Sequence, residues 1–253
     1  FIPLFEENGL IQELDYYVWR ETARQIRIWK DRFGFVVPVS VNVSRIDIYN
    51  PEIEDILCGI VEKNGLKPHE LYLEITESAY SDDADRLVEV VNNLREKGFE
   101  IEMDDFGSGY SSLNSLKDLP VDILKIDMKF LRMDVNNINK GVSILESIVN
   151  MSRSLHMPTI VEGVETDEQV KFLTEMGCVY AQGYHFYRPL PIDEYERILG
   201  NLDEVDFDGI RISNLDPIHV REFLDENLFS DVVINNILGA VAFVEMKEDG
   251  DVV

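Results

Sequence analysis

One unit recurs along the sequence: a short run with apolar residues at alternate positions, then a longer stretch with helical spacing. The strand-like runs fall at 35–44, 71–76, 99–104, 121–127, 158–162 and 180–183. The helical stretches fall at about 6–32, from Pro51 to Gly65, around Leu87, Val90, Val91 and Leu94, and at about 140–155, 167–176 and from 193 onward. Strand, helix, strand in series predicts a parallel sheet with helical crossovers, either open and doubly wound or closed as a barrel. Polar residues decide between them. Asn42, Glu74, Asp104, Lys125, Glu162 and Gln182 stand late in successive strands, on the face opposite the outward valines and leucines. A barrel gathers such positions at its C-terminal mouth, whereas an open sheet strings them along an edge. No glycine fingerprint for a dinucleotide follows the first strand. The expectation is therefore α/β, a TIM-barrel-like (β/α)8 fold. Six strands are counted where a closed barrel needs eight, so two lie before Phe1 or the sheet is open.

The richest stretch chemically is Glu102-Met103-Asp104-Asp105-Phe106-Gly107-Ser108-Gly109-Tyr110. A buried strand delivers two adjacent carboxylates at its end, and adjacent carboxylates can serve two hard divalent cations. The plain alternative is an acidic turn punctuated by glycine.

Charge narrows the function further. Lys and Arg number 23 against 49 Asp and Glu, a net charge of −26 over 253 residues. That excludes a nucleic-acid polymer, which wants a basic face, and direct contact with an anionic membrane. An anionic substrate would need metal ions to offset the field. Cys58 and Cys178 match no disulfide or zinc spacing. The run 237–244 is too short to span a bilayer, and no secretory signal opens the chain. Phe1-Ile2-Pro3-Leu4 looks like the middle of a polypeptide, so a cytoplasmic module of a longer protein, membrane-attached or not, is expected.

Six motifs in series then resemble the EAL-domain phosphodiesterases of cyclic di-GMP. They are Ser40-Val41-Asn42-Val43-Ser44, Glu74-Ile75-Thr76-Glu77, Asp104 to Tyr110, Lys125-Ile126-Asp127, Glu162-Gly163-Val164-Glu165 and Gln182-Gly183-Tyr184. The resemblance covers about residues 1–200 and implies a modified barrel with one antiparallel strand. It also implies that the first strand and the strand bearing Glu-Ala-Leu precede Phe1, so one metal-ligand glutamate lies outside the sequence. A polypeptide starting at Phe1 is on that ground expected to be inactive. The resemblance assigns Asn42, Glu74 and Asp104 to one Mg²⁺ or Mn²⁺, and Asp104, Asp105 and Glu162 to a second. Lys125 would orient or deprotonate the attacking water, Glu77 would anchor the loop from Gly107, and Asp127, Gln182 and Ser44 would support the substrate side. Each has a plainer structural alternative: a salt bridge for Lys125, a helix cap for Glu77, a core amide for Gln182. Ser108 and Val161 replace a common threonine and alanine without altering a ligand.

The implied reaction is hydrolysis of cyclic di-GMP to linear pGpG in bacterial second-messenger signalling. Two alternatives stay open: a catalytically silent cyclic di-GMP receptor of the same fold, and a metal-dependent barrel lyase. A homodimer pairing through the segment from Gly107 to Leu119 is expected, with other signalling domains in the parent chain. Residues 201–253 read as an acidic linker helix over 216–238, then a strand at 240–246 and a turn at Asp249-Gly250, entering a further module.

Overall fold

The computed structural model describes residues 5, 8–81, 84–107, 118–128, 138–201, 236–238 and 241–243. The chain forms two compact units, Phe1–Asp127 and Met128–Val253.

The first unit opens with helix α1, Ile11–Phe33. Helical spacing suggested a start near residue 6, but Gly9 adopts a left-handed φ of 71°, which no α-helix continues through. The buried stripe of α1 is Ile11, Asp15, Trp19, Ala23, Ile26 and Trp29. Tyr17 and Val18 lie between those turns and are exposed. Strand β1, Val39–Asn42, is shorter than its apolar alternation predicted. Ser44 leaves the strand to cap the short helix α2, Arg45–Ile48: its hydroxyl accepts from the Asp47 N–H, and its own N–H donates to Asp47 Oδ2 at 3.0 Å. Helix α3, Ile53–Lys63, returns the chain to β2, Leu71–Thr76; α4, Ala84–Glu96, leads to β3, Ile101–Asp104; β4 is Ile123–Asp127.

β1, β2, β3 and β4 pair in that order, all parallel. Leu71, Leu73, Ile75, Ile101 and Met103 are almost fully buried, so these strands carry apolar residues toward the helices. Three polar anchors fix them. Lys30 of α1 donates to Glu70 Oε1 at 2.6 Å, and Glu70 Oε2 accepts from Lys67 N–H just before β2. Arg95 grips both oxygens of Asp122, whose Oδ2 also accepts from Ile101 N–H at 2.9 Å. Trp19, wholly buried, donates its indole N–H to the Asn42 carbonyl at 2.8 Å, pinning α1 against the last residue of β1.

In the second unit, α5 is Ile138–Ser154, β5 Thr159–Glu162, α6 Asp167–Glu175, β6 Tyr180–Gln182 and α7 Ile192–Leu199. β5 and β6 are parallel, with Glu162 opposite Gln182. Gly183 follows, and a Cβ there would collide with the backbone of Val164, whose N–H donates to the Gln182 carbonyl at 3.1 Å. Only glycine permits that closeness. The helix expected over 216–238 is corrected at its end: Asn236–Leu238 is strand β7, paired antiparallel with β8, Val241–Phe243. Ile237, Leu238, Val241 and Phe243 favour a pleated hairpin over a helix there. The rest of that expected helix and the turn at Asp249-Gly250 lie outside the described residues. Cys178 is buried as expected, and Cys58 is only half-buried. No helix among the described residues is long and apolar enough to cross a membrane.

Replacing Trp19 by Phe removes the indole donor, strands the Asn42 carbonyl and leaves a small void. Urea denaturation is expected to show a loss of ~1–3 kcal/mol; an unchanged midpoint would contradict the anchoring role.

Candidate active site

The ends of β1–β3 place oxygen donors side by side. Strand register sets Asn42 opposite Glu74, Glu74 opposite Glu102, and Thr76 opposite Asp104. Residues in register on parallel neighbours point to the same face. Asn42, Glu74, Glu102 and Asp104 therefore share one side of the sheet, and so do Ile123, Lys125 and Asp127 of β4.

Within this group Lys125 Nζ forms a close ion pair with Glu74 Oε1, both side chains nearly buried. Asp104 is half-buried, and its Oδ1 accepts from the N–H of Asp105 at 2.8 Å. Asp105 takes a left-handed φ of 55°, uncommon outside glycine, so the chain turns sharply at the strand end. Phe106 is buried and donates its N–H to the Lys125 carbonyl at 3.1 Å, tying the turn to β4. Gly107 N–H donates to Glu77 Oε2 at 3.0 Å, and Glu77 is itself 3% exposed. Glu77 thus holds the first residue of the glycine loop from the 3₁₀ turn Glu77–Ser81. Ser108, Gly109 and Tyr110 lie outside the described residues.

The remaining expected residues are placed as follows. Asp127 ends β4 and is half-buried. Ser44 is engaged in the capping box beyond Asn42. Glu162 and Gln182 end their strands in the second unit, half-buried and in register with each other.

Burial dominates the electrostatics. It lifts the Asp104 carboxyl above its ordinary range; Lys125 pulls it back, and Glu74 and Asp105 push it up again. Glu102, which the sequence motifs give no role, is fully buried. Its oxygens make no hydrogen bond of good geometry, although the Ser40 hydroxyl, like Lys125, stands near enough to favour its ionised form. Two carboxylates offer each other only acceptors, so the adjacent Glu74 and Glu102 can bond only if one carries a proton. Burial raises Glu102 to about 8, with Lys125 opposing and Glu74 reinforcing the rise. The signal that could have found Glu102 was its period-2 position two residues before Asp104, on the face of Glu74.

Asn42, Glu74, Asp104 and Asp105 are hard oxygen donors, the chemistry Mg²⁺ and Mn²⁺ select. Their arrangement is not yet a cage: among the described residues no three Asp, Glu, His or Cys are drawn together tightly enough to hold an ion. Glu74 is turned to Lys125 instead.

Comparison with known proteins follows the same outline. The profile of the EAL domain family matches residues 1–189. Cyclic di-GMP phosphodiesterase NbdA of Pseudomonas aeruginosa is 38% identical over 199 residues, 79% of this chain. Cyclic di-GMP phosphodiesterase PdeR of Escherichia coli is 32% identical over 197 residues, 78% of this chain. The chain spans 25% and 30% of the lengths of these two relatives. Among solved structures, the PaMucR phosphodiesterase in complex with c-di-GMP aligns with a TM-score of 0.71 at 37% identity, covering 77% of this chain and 78% of that one. The EAL domain of Mycobacterium smegmatis DcpA aligns at 0.69 and 29% identity, covering 75% and 85%. These likenesses place the fold in the α/β, TIM-barrel-like class.

Glu102 yields a pH prediction. The folded protein holds its proton more tightly than the unfolded chain, so its contribution to stability is full below pH about 4.5 and is lost as pH rises toward about 8. Glu102→Gln removes that slope. In a chelator, the variant is expected to gain ~1–3 kcal/mol on wild type between pH 5 and 8, read by urea denaturation. A constant difference would contradict the assignment.

Proposed function

Since the chain belongs to the EAL-domain family, we propose that it hydrolyses one phosphodiester of cyclic di-GMP to give linear pGpG. What carries the proposal is the strand register that sets Asn42, Glu74 and Asp104 at neighbouring strand ends, with Lys125 on the same face. The ligand named in the PaMucR complex and the activity named in NbdA and PdeR support the choice of substrate.

In this reading Asn42, Glu74 and Asp104 hold one Mg²⁺ or Mn²⁺, and Asp104, Asp105 and Glu162 a second. Divalent cations at these oxygens supply charge stabilisation at the attacked phosphoryl group and activation of water. The chain's own groups do the rest. Lys125 Nζ orients the water whose oxygen attacks phosphorus. The bond from phosphorus to the ribose O3′ breaks, and the leaving oxygen takes up a proton. Glu77 steadies the turn after Asp105 through the Gly107 amide. Asp127 and Gln182 border the substrate side, and Ser44 contributes by fixing the chain beyond Asn42. The net charge of −26 disfavours a bare dianionic ligand and favours one that arrives with cations.

The domain is taken to extend to about residue 200, beyond the end of the family match at 189, so as to include α7. The acidic residues 201–253 would lead into another module of a cytoplasmic signalling protein. A second reading is favoured by the engagement of Glu74 with Lys125: a receptor that binds cyclic di-GMP without cleaving it.

The test is chromatography of cyclic di-GMP incubated with Mn²⁺ and the protein extended upstream of Phe1 by about 40 residues, the length of two strands and their connection. Linear dinucleotide is expected, abolished by chelator and reduced at least ~100-fold by Asp104→Asn, which also weakens Mn²⁺ binding in calorimetry. Binding without cleavage would favour the receptor; Asp104→Asn binding Mn²⁺ as wild type does would show the site misplaced. The proposal includes a symmetric homodimer through the segment from Gly107 to Leu119, of which residues 108–117 lie outside the described residues. Sedimentation is expected to show a dimer at micromolar concentration, and a monomer throughout would remove that part.

A further inference from the structure

We propose that Tyr184, backed by Arg188, is the surface on which one guanine base of the dinucleotide stacks. The inference rests on the cyclic di-GMP reading above and supplies what recognises the base, a part of the ligand to which that reading gives no residue.

Tyr184 stands two residues beyond Gln182, where the chain leaves the C-terminal end of β6 in the second unit. It is 56% exposed, although the turn around it is tightly bonded. The Val164 N–H donates to the Gln182 carbonyl at 3.1 Å, and the His185 N–H to the Val164 carbonyl at 3.0 Å. The Gly183 carbonyl accepts from the N–H groups of Phe186 and Tyr187. His185 and Phe186 meet edge to face and are half-buried, so the turn packs these two rings and presents Tyr184 to solvent. The guanidinium carbon of Arg188 lies 4.7 Å from the centre of the Tyr184 ring. In a chain with 49 acidic residues to 23 basic ones, Arg188 pairs with this ring and with no carboxylate among the described residues. A guanidinium on one face fixes the plane of the ring and leaves the other face for a planar partner. Nucleobases are such partners, since each has a π-face that stacks on an aromatic side chain whatever its hydrogen-bond pattern. A ring already held in place loses little freedom on binding. The π-face also attracts the uncharged part of the ligand, where a net charge of −26 repels its phosphates. Val179 and Ile192, the other exposed apolar side chains near β6, offer no such plane.

Steady-state hydrolysis of cyclic di-GMP with Mn²⁺ by the upstream-extended protein tests the idea on wild type, Tyr184→Ala, Tyr184→Leu, Tyr184→Phe, Arg188→Met, Arg188→Lys and Val179→Ala. Tyr184→Ala is expected to raise KM about tenfold, the usual effect of removing an aromatic stacking partner, and to change kcat far less. Tyr184→Leu, which keeps the bulk without the π-face, is expected to raise KM as much, and Tyr184→Phe to restore it to within about twofold of wild type. Arg188→Met is expected to raise KM about threefold, and Arg188→Lys, which keeps a cation behind the ring, by less. Val179→Ala is expected to leave KM unchanged. An unchanged KM in Tyr184→Ala overturns the proposal. So does Tyr184→Leu matching wild type, or Tyr184→Phe as impaired as Tyr184→Ala, which would assign the effect to bulk or to the hydroxyl. If Tyr184→Ala does not fold, Tyr184→Leu against Tyr184→Phe decides on the same terms. If wild type binds without cleaving, the same ratios are expected in the calorimetric Kd for cyclic di-GMP, and equal Kd values for wild type and Tyr184→Leu overturn the proposal. Wild type that neither binds nor cleaves overturns it together with the proposed function. Wild type that cleaves, with Tyr184→Leu equal to it in KM, overturns this one alone.

Discussion

The buried pairing of Lys125 with Glu74 is the interaction on which the rest of the site depends. Both side chains sit nearly out of water on one face of the sheet, where a charge is costly to bury and the pairing offsets that cost. That pairing fixes the carboxylate that the strand register sets beside Asn42. Among the described residues the hard oxygen donors do not form a cage, and the central one, Glu74, is already engaged by Lys125. On the proposed metal-dependent reading, a cation at this face takes Glu74 from Lys125 rather than filling a preformed shell.

The surroundings hold that exchange in a narrow space. Trp19 fixes the backbone of Asn42, Arg95 and Asp122 fix the start of β3, and the left-handed turn at Asp105 is tied down on both sides, by Phe106 to β4 and by Gly107 to Glu77. Strain at Asp105 persists because these bonds over-determine it. The strand ends are thus rigid, and the freedom lies in the side chains of Glu74 and Lys125.

Much of this was legible in the sequence. Alternating apolar residues marked every strand of the parallel sheets, and the polar residues late in β1–β4 marked the face of the candidate site. Helix ends were less legible, because a single left-handed glycine at Gly9 or a capping serine at Ser44 outweighs several residues of periodic pattern. The strand Asn236–Leu238 was read as helix because an apolar run that short carries either period. Glu102 was passed over for a different reason. Its importance lies in register with Glu74, and register is a tertiary fact that period-2 alternation only hints at.

The claim that Glu74 changes partners is tested most directly by a crystal structure of the protein with Mn²⁺, using anomalous scattering to locate the ions. The account predicts an anomalous peak within bonding distance of Glu74 and Asp104, and Lys125 displaced from Glu74. An ion bound at Asp104 with Glu74 still paired to Lys125, or no ion at these strand ends, would contradict it.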